Sequence, residues 1–313
     1  MSTESATGLT HLDTAAGDPR ITVAVITRDR PVSLLRTLDA LAALPERPPV
    51  IVVDNSRDDG TRTAVRGHPA VAGLLRPAAN TGALGRNLAV RQARTPYVAF
   101  SDDDSWWKPG SLARAADLLD RHSRLGLLAA RTLVGDEAAD DPLNAVLAGS
   151  PLPPEPDLPG RPVLGFLGCA TVLRTEAFRS GGGFHPGLWL GGEEELLACD
   201  LLRQGWWLAY AEVLTVHHQA SRLRDSTARR VLGIRNTLWF TWLRRPLLPA
   251  LRRTGHLMRT VPRDFASVRA FAHATAGLPW VLRQRDPVPP DLERRLAELE
   301  RARRTSPARR YVG

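Results

Sequence analysis

Apolar residues recur along this chain in two alternating rhythms. ITVAVIT (21–27), PVIVVDNS (49–56), VAGLLR (71–76) and YVAFS (97–101) are short apolar runs of the kind that predicts strands. Between and after them, PVSLLRTLDALAAL (31–44), a short stretch near Thr61–Arg66, LGRNLAVRQAR (84–94) and GSLARAADLLDRH (110–122) carry apolar residues at helical spacing. Strands alternating with amphipathic helices predict an α/β chain whose mostly parallel central sheet is flanked by helices. In such sheets ligands sit outside the carboxyl ends of the strands. Three polar clusters fall just after predicted strands: Thr27–Arg30, Asp54 with Asn55, and Asp102–Asp104. They are expected to share one crevice.

Further along, GLLAART (126–132) predicts another strand. Residues 135–162 are dense in proline, which argues against regular structure and predicts a flexible, lid-like connection. Strand character returns in PVLGFLGCATVLR (162–174). A glycine-rich loop then enters an acidic helix start in SGGGFHPGLWLGGEEELLACDLLRQG (180–205), and WWLAYAEVLTVHH (206–218) reads as a strand ending in two histidines. Beyond Ala220 the rhythm is helical throughout. The expected organisation is a loose leader over residues 1–19, an α/β unit over 20–220 and a helical, arginine-rich extension over 221–313.

Composition changes this picture mainly through charge. The 313 residues are 43% hydrophobic and 24% charged, ordinary for a globular protein, and carry a formal +9. Residues 1–220 hold 21 basic against 26 acidic side chains, whereas 221–313 hold 21 arginines against seven acids. The basic tail admits a nucleic acid, an anionic lipid or another polyanion as partner. Cys169 and Cys199 are the only cysteines, too few for a zinc framework or a disulfide scaffold. The start lacks the pattern of a signal peptide, and no eighteen-residue apolar run occurs. A cytoplasmic protein is expected, with peripheral contact at the inner face of the membrane as a further expectation for the tail. There TLWFTWLRRPLLPALRR (237–253) mixes aromatic, aliphatic and arginine residues, as an interfacial helix does; packing of the same residues on the α/β unit is the alternative.

Three consecutive aspartates repel one another and require a compensating partner. Asp102 and Asp104, spaced i and i+2 after a strand, present hard oxygen ligands to one side and suit Mg²⁺ or Mn²⁺ held together with phosphates; a solvated turn capping the following helix is the alternative. Arg86, near a helix start with Gly82 and Gly85 beside it, supplies a cation for phosphate. Glu193, Glu194 and Glu195 follow glycines, and a carboxylate there can act as a general base toward a hydroxyl. His217 and His218 can ligate a metal or bond a phosphate.

Taken together, ITVAVITRDRP, VIVVDNSRDDGT, NTGALGRNLAVRQARTPYVAFSDDDSWWKP, GGFHPGLWLGGEEELLA and AEVLTVHH resemble, in order, the inverting family 2 glycosyltransferases of GT-A fold, over about residues 20–220. The resemblance implies a metal-dependent transfer of a sugar from a nucleotide diphosphate sugar to an acceptor hydroxyl, lipid-linked or on a small molecule, with Mn²⁺ or Mg²⁺ as cofactor and no nucleic-acid partner. It implies that Thr27, Arg30, Asp54, Asn55, Arg86 and Asp103 bind the nucleotide sugar. Asp102 and Asp104 match the ends of the D-x-D metal motif, and His217 matches the histidine closing the late strand, with His218 one position away. Glu194 matches the catalytic base, with Glu193 as rival; Glu stands where the family's pair ends in Asp, and Asn55 where Asp is frequent. A nucleotidyltransferase, or a non-catalytic polyanion binder acting through the tail, is the competing expectation.

Overall fold

A computed structural model describes residues 18–219 and 226–305. The expected leader lies outside the described residues apart from its last two positions.

The first half follows the alternation read from the sequence: β1 (Ile21–Thr27), α1 (Pro31–Ala42), β2 (Val50–Asp54), α2 (Gly60–Val65), β3 (Val71–Leu75), α3 (Gly85–Gln92) and β4 (Tyr97–Asp102). Pro31 opens α1 at a position where its missing N–H costs nothing. β5 (Ser105–Trp107), α4 (Ser111–Arg121), β6 (Leu125–Val134), β7 (Ala139–Asp140), α5 (Pro142–Ala148), β8 (Arg161–Pro162), β9 (Thr171–Arg174), α6 (Thr175–Ser180), α7 (Glu193–Arg203) and β10 (Trp207–His218) complete the α/β part. α8 (Ser226–Arg244), α9 (Leu247–Thr260), α10 (Phe265–Ala276), α11 (Leu278–Arg283) and α12 (Pro290–Thr305) form the tail.

The central sheet has the order β3-β2-β1-β4-β9-β6-β10-β5, with β7 beside β6 and β8 beside β10. β3, β2, β1 and β4 are parallel, as are β6 and β10, while β9 runs antiparallel between β4 and β6. Both faces are covered, which is why the strands read as continuous apolar runs rather than alternating ones. Leu34 and Leu38 of α1 and Leu112 of α4 pack on one face with Val23 and Val25; Ala89 of α3 and Leu197 and Leu201 of α7 pack on the other with Ala24 and Phe100.

One expectation needs correction, and of the two readings of 237–253 the aromatic residues follow packing. Residues 135–162 are not devoid of regular structure: α5 forms there, capped by the Asp141 carboxylate accepting from Leu143 N at 2.8 Å, with Pro142 in its first turn. Proline density misled because a proline at a helix start is permissive. The aromatic segment 237–253 does not lie open to a membrane through its Trp and Phe residues. Trp239, Phe240 and Leu243 are buried in a third core with Ala270, Val281 and Leu292. That core also takes in Leu196 and Cys199, so α7 is packed between the sheet and the helical tail.

Candidate active site

Parallel register brings the polar ends of three strands to one edge. Thr27 pairs with Asp54 across β1 and β2, and Ile26 pairs with Asp102 across β1 and β4. Asp54 Oδ1 accepts from Ser56 N at 2.9 Å, while its Oδ2, fully buried, makes no hydrogen bond within the described residues. Asn55 Oδ1 accepts from both the backbone N and the hydroxyl of Thr81 at 2.8 Å, tying β2 to the turn before α3. Beside it opens a cleft of about 660 Å³ lined by Arg28, Asn55, Ser56, Arg57, Arg76 and Asn80. A cleft of similar size, about 630 Å³, lies at the opposite strand ends near Thr95, and its Arg174 and Arg179 bond backbone carbonyls.

The triple aspartate is compensated from three directions. β4 ends at Asp102, so the alternation expected of an extended run stops there and each carboxylate finds its own partner. Asp102 pairs with Arg86. Asp103 accepts from the Thr27 hydroxyl at 2.8 Å and from Arg30 at 2.5 Å, and its backbone carbonyl accepts from Ser33 and Thr37 of α1 at 2.8 and 2.9 Å. Burial drives the Asp103 carboxyl up to about 7, against the lowering pull of Arg30 and the Thr27 hydroxyl. Asp104 accepts from Arg30 at 3.0 Å and lies 3.5 Å from His218 Nε2. Burial pushes its carboxyl upward too, but His218 and Arg30 outweigh that and hold it below the ordinary carboxylate value.

The two histidines separate because successive strand residues face opposite sides. His218 is buried against Asp104, whereas His217 stacks on Trp106 with ring centroids 6.0 Å apart. The geometry therefore brings His218, not His217, to the aspartates.

Arg86 is no free surface cation. It is 5% exposed, paired to Asp102, with its guanidinium carbon 5.6 and 5.9 Å from the Phe100 and Phe184 ring centroids. Across from it stands the start of α7. Glu194 Oε1 accepts from Gly168 N at 3.1 Å, and a Cβ at Gly168 would come within 3.1 Å of that oxygen and 3.3 Å of the Arg86 guanidinium. Gly168 thus lets Arg86 and Glu194 converge, a role that its place inside an apolar run conceals. Burial raises the Glu193 carboxyl; burial and then the Glu193 charge raise Glu194, partly offset by Arg86. Two glutamates held above their usual range at the start of α7, beside Arg86, are suited to proton transfer.

The loop carrying these glutamates is held from both sides. Asn87 of α3 exchanges two hydrogen bonds with the Phe184 backbone, at 2.8 and 2.9 Å, and Trp189 packs so close to Gly82 that a Cβ there would collide at 2.8 Å. From the tail, fully buried Asn236 of α8 donates to the carbonyls of Leu190 (2.9 Å) and Gly191, immediately before α7. Asn236 was invisible to sequence reasoning, since α8 holds several polar residues and nothing local marks which of them faces inward.

Among the described residues, no three His, Cys, Asp or Glu side chains gather into a ready-made metal cage. The donors nonetheless fit a cation shared with a ligand. Buried His218 Nε2 lacks a well-formed hydrogen bond and lies beside the Asp104 carboxylate, and the Asp102 side chain is one-third exposed at the open side. One or two carboxylates with an imidazole suit Mn²⁺, and ligand phosphates commonly complete such a shell.

The mixed sheet with flanking helices is a fold of GT-A type. The profile of the family described as glycosyl transferase family 2 matches residues 22–182. The chain belongs to that family, which favours sugar transfer over nucleotidyl transfer. Among solved structures it is similar to the mannosyltransferase PcManGT from Pyrobaculum calidifontis in complex with GDP-Man and Mn²⁺, with a TM-score of 0.56 and 20% identity over 95% of this chain and 79% of that one. It is similar also to S. aureus TarS 1–349 in complex with UDP-GlcNAc (TM-score 0.55, 15% identity, 84% and 81% covered). A third is GalNAc-T7 with UDP, GalNAc and Mn²⁺ (0.59, 12%, 84% and 56%). At these identities the likeness is one of fold. No curated protein matches the sequence.

Proposed function

We propose that this glycosyltransferase is metal-dependent and inverting, moving a sugar from a nucleoside diphosphate to an acceptor hydroxyl. The observation that carries the reading is the convergence of Asp102, at the end of β4, with Arg86 and Glu194 around Gly168.

Asp54 Oδ2, buried and unbonded among the described residues, would accept from a base N–H, with Asn55 and Thr27 shaping the nucleotide pocket. Arg30, now shared by Asp103 and Asp104, and Arg86, now paired with Asp102, would each turn part of their charge to the diphosphate. Asp102, Asp104 and His218 would hold Mn²⁺ or Mg²⁺, with His217 displaced from that set by its stacking on Trp106. Such an ion supplies positive charge where the leaving diphosphate accumulates negative charge. Glu194, one oxygen fixed by Gly168 N, would take the acceptor proton, and Glu193 beside it would keep its affinity for that proton high. Direct attack from the face opposite the leaving group inverts the anomeric centre. Residues 20–220 would form the catalytic unit and 221–313 its supporting extension.

A panel of nucleotide sugars tested for thermal stabilisation with Mn²⁺, Mg²⁺ or chelator checks the donor side, since a ligand of the folded state raises its melting temperature. We expect one nucleotide to stabilise only with metal, and Asp104→Asn to abolish that stabilisation while keeping the unliganded melting temperature within a few degrees. Equal stabilisation in chelator would remove the metal from the reading.

A further inference from the structure

We propose that the outward face of α9 docks on an anionic lipid surface. Among the described residues, seven of the ten large apolar side chains most open to solvent lie between Leu247 and Leu282, although that stretch is a small part of the chain. On α9 they form a stripe. Leu247, Leu251 and Met258, at i, i+4 and i+11, fall on one side of the helix and are 58%, 49% and 63% exposed. The neighbouring row reads Leu248, Arg252, Arg259, the leucine 64% exposed and both arginines open to solvent.

The opposite side of α9 is the one that docks on the protein: Leu257 packs on the third core there, and the other inward contacts come from small or polar residues. Ala250 is buried, Thr254 accepts from Trp242 Nε1 at 3.1 Å, and Arg253 pairs with Glu195 at 3.4 Å and Glu300 at 3.1 Å. A helix that turns leucines outward while seating an ion-paired arginine inward has its apolar stripe arranged for something other than its own core.

Charge selects the occupant. From Leu247 through Arg263 the chain contains four arginines and no acid. Past Asp264, which caps α10 and pairs with Arg230, the first turn of α10 leaves Phe265 82% and Val268 64% exposed, with Arg269 next to Val268 also open to solvent. Leucines to enter the acyl boundary, with arginines beside them to meet anionic headgroups, are what an interfacial helix presents. A protein partner of the same charge preference would need acidic side chains around an apolar groove, a narrower requirement. Through Arg253 and Glu195 the docking helix is tied to α7, two residues from Glu193, so docking would couple the lipid surface to the helix that carries the proposed base. That last consequence rests on the transferase reading; the docking does not.

The test is sedimentation of the full chain with phosphatidylcholine vesicles and with vesicles containing about a third phosphatidylglycerol. Wild type should sediment with the anionic vesicles and leave them in high salt. Leu247→Glu/Leu251→Glu and Arg252→Glu/Arg259→Glu should each weaken partitioning about tenfold, with unchanged melting temperature and unchanged transfer to a soluble acceptor. Failure of wild type to bind anionic vesicles overturns the proposal, as does a folded leucine double variant that binds like wild type. So does a wild-type dimer in size-exclusion chromatography that the leucine variants dissolve, because the face would then belong to a second copy. Loss of transfer with vesicle binding intact would instead count against the transferase reading alone.

Discussion

The strand-end cleft and the helical tail both concentrate charge, and they settle it in opposite ways. In the cleft, buried carboxylates share arginines across elements. Arg30 spans Asp103 and Asp104, Arg86 meets Asp102, and the glutamates of α7 remain above their usual range. In the tail, arginines that face inward are paired as structural ties: Arg244 to Asp200, Arg245 to Glu293 and Glu300, Arg253 to Glu195. Arg245 is 2% exposed, and its charge is tolerated only because two carboxylates at 2.6 and 2.7 Å surround it. Net charge therefore says little about either region until burial and pairing are known. The tail's surplus of arginine divides into internal ties and an outer rim.

The contrast implies that the cleft makes the chemistry and the tail holds it in place, and substitutions can break that division. The largest effect is expected from Glu194→Gln, which removes the proposed base while keeping its shape. Turnover should fall by about 10²–10⁴-fold with nucleotide affinity preserved, as measured by sugar transfer alongside nucleotide titration. Near-normal turnover would shift the base to Glu193.

A smaller effect is expected from the tail. Asn236→Ala removes the amide that donates to Leu190 and Gly191 and leaves those carbonyls short of a partner, costing about 1–3 kcal/mol. If the tail positions the α7 glutamates, kcat should drop about tenfold with nucleotide affinity unchanged. Stability loss without any change in kcat per folded molecule would reduce the tail to a structural support.

The smallest and most specific effect concerns pH. The base must be ionised to accept a proton, and burial together with Glu193 raises the Glu194 carboxyl. Activity is therefore lost as pH falls through a value above that of ordinary glutamate. Glu193→Gln deletes the neighbouring negative charge, so the acidic limb of kcat/KM should move down by about one pH unit. An unmoved limb would mean that the two glutamates do not act on each other.

The two regions were unequally legible. In the α/β half, ITVAVIT, VIVVD and YVAFS each declared a strand, and the polar residue that ended each run declared the crevice, because a parallel sheet buried on both faces leaves its strand ends as the place for charge. The pairing inside the crevice was not legible. That Asp103 turns to Thr27 and Asp104 to His218 depends on where β4 stops, and which of two adjacent histidines faces the site depends on the register of β10 against β5 and β6. β5 and α6 were too short to declare themselves. In the tail, helical spacing announced helices, yet it could not say which side of α8 or α9 would be covered.

The chain by itself determined the element order, the three polar strand ends and the glycine-led glutamates, since each is a local consequence of side-chain periodicity and backbone preference. Only the tertiary structure decided that α7 lies between sheet and tail, that Gly168 and Asn236 shape the approach to Glu194, and that α9 turns Leu247, Leu248 and Leu251 outward but Leu257 inward. Those outcomes depend on contacts between residues far apart in sequence, where packing against a particular neighbour, not local preference, sets the free energy.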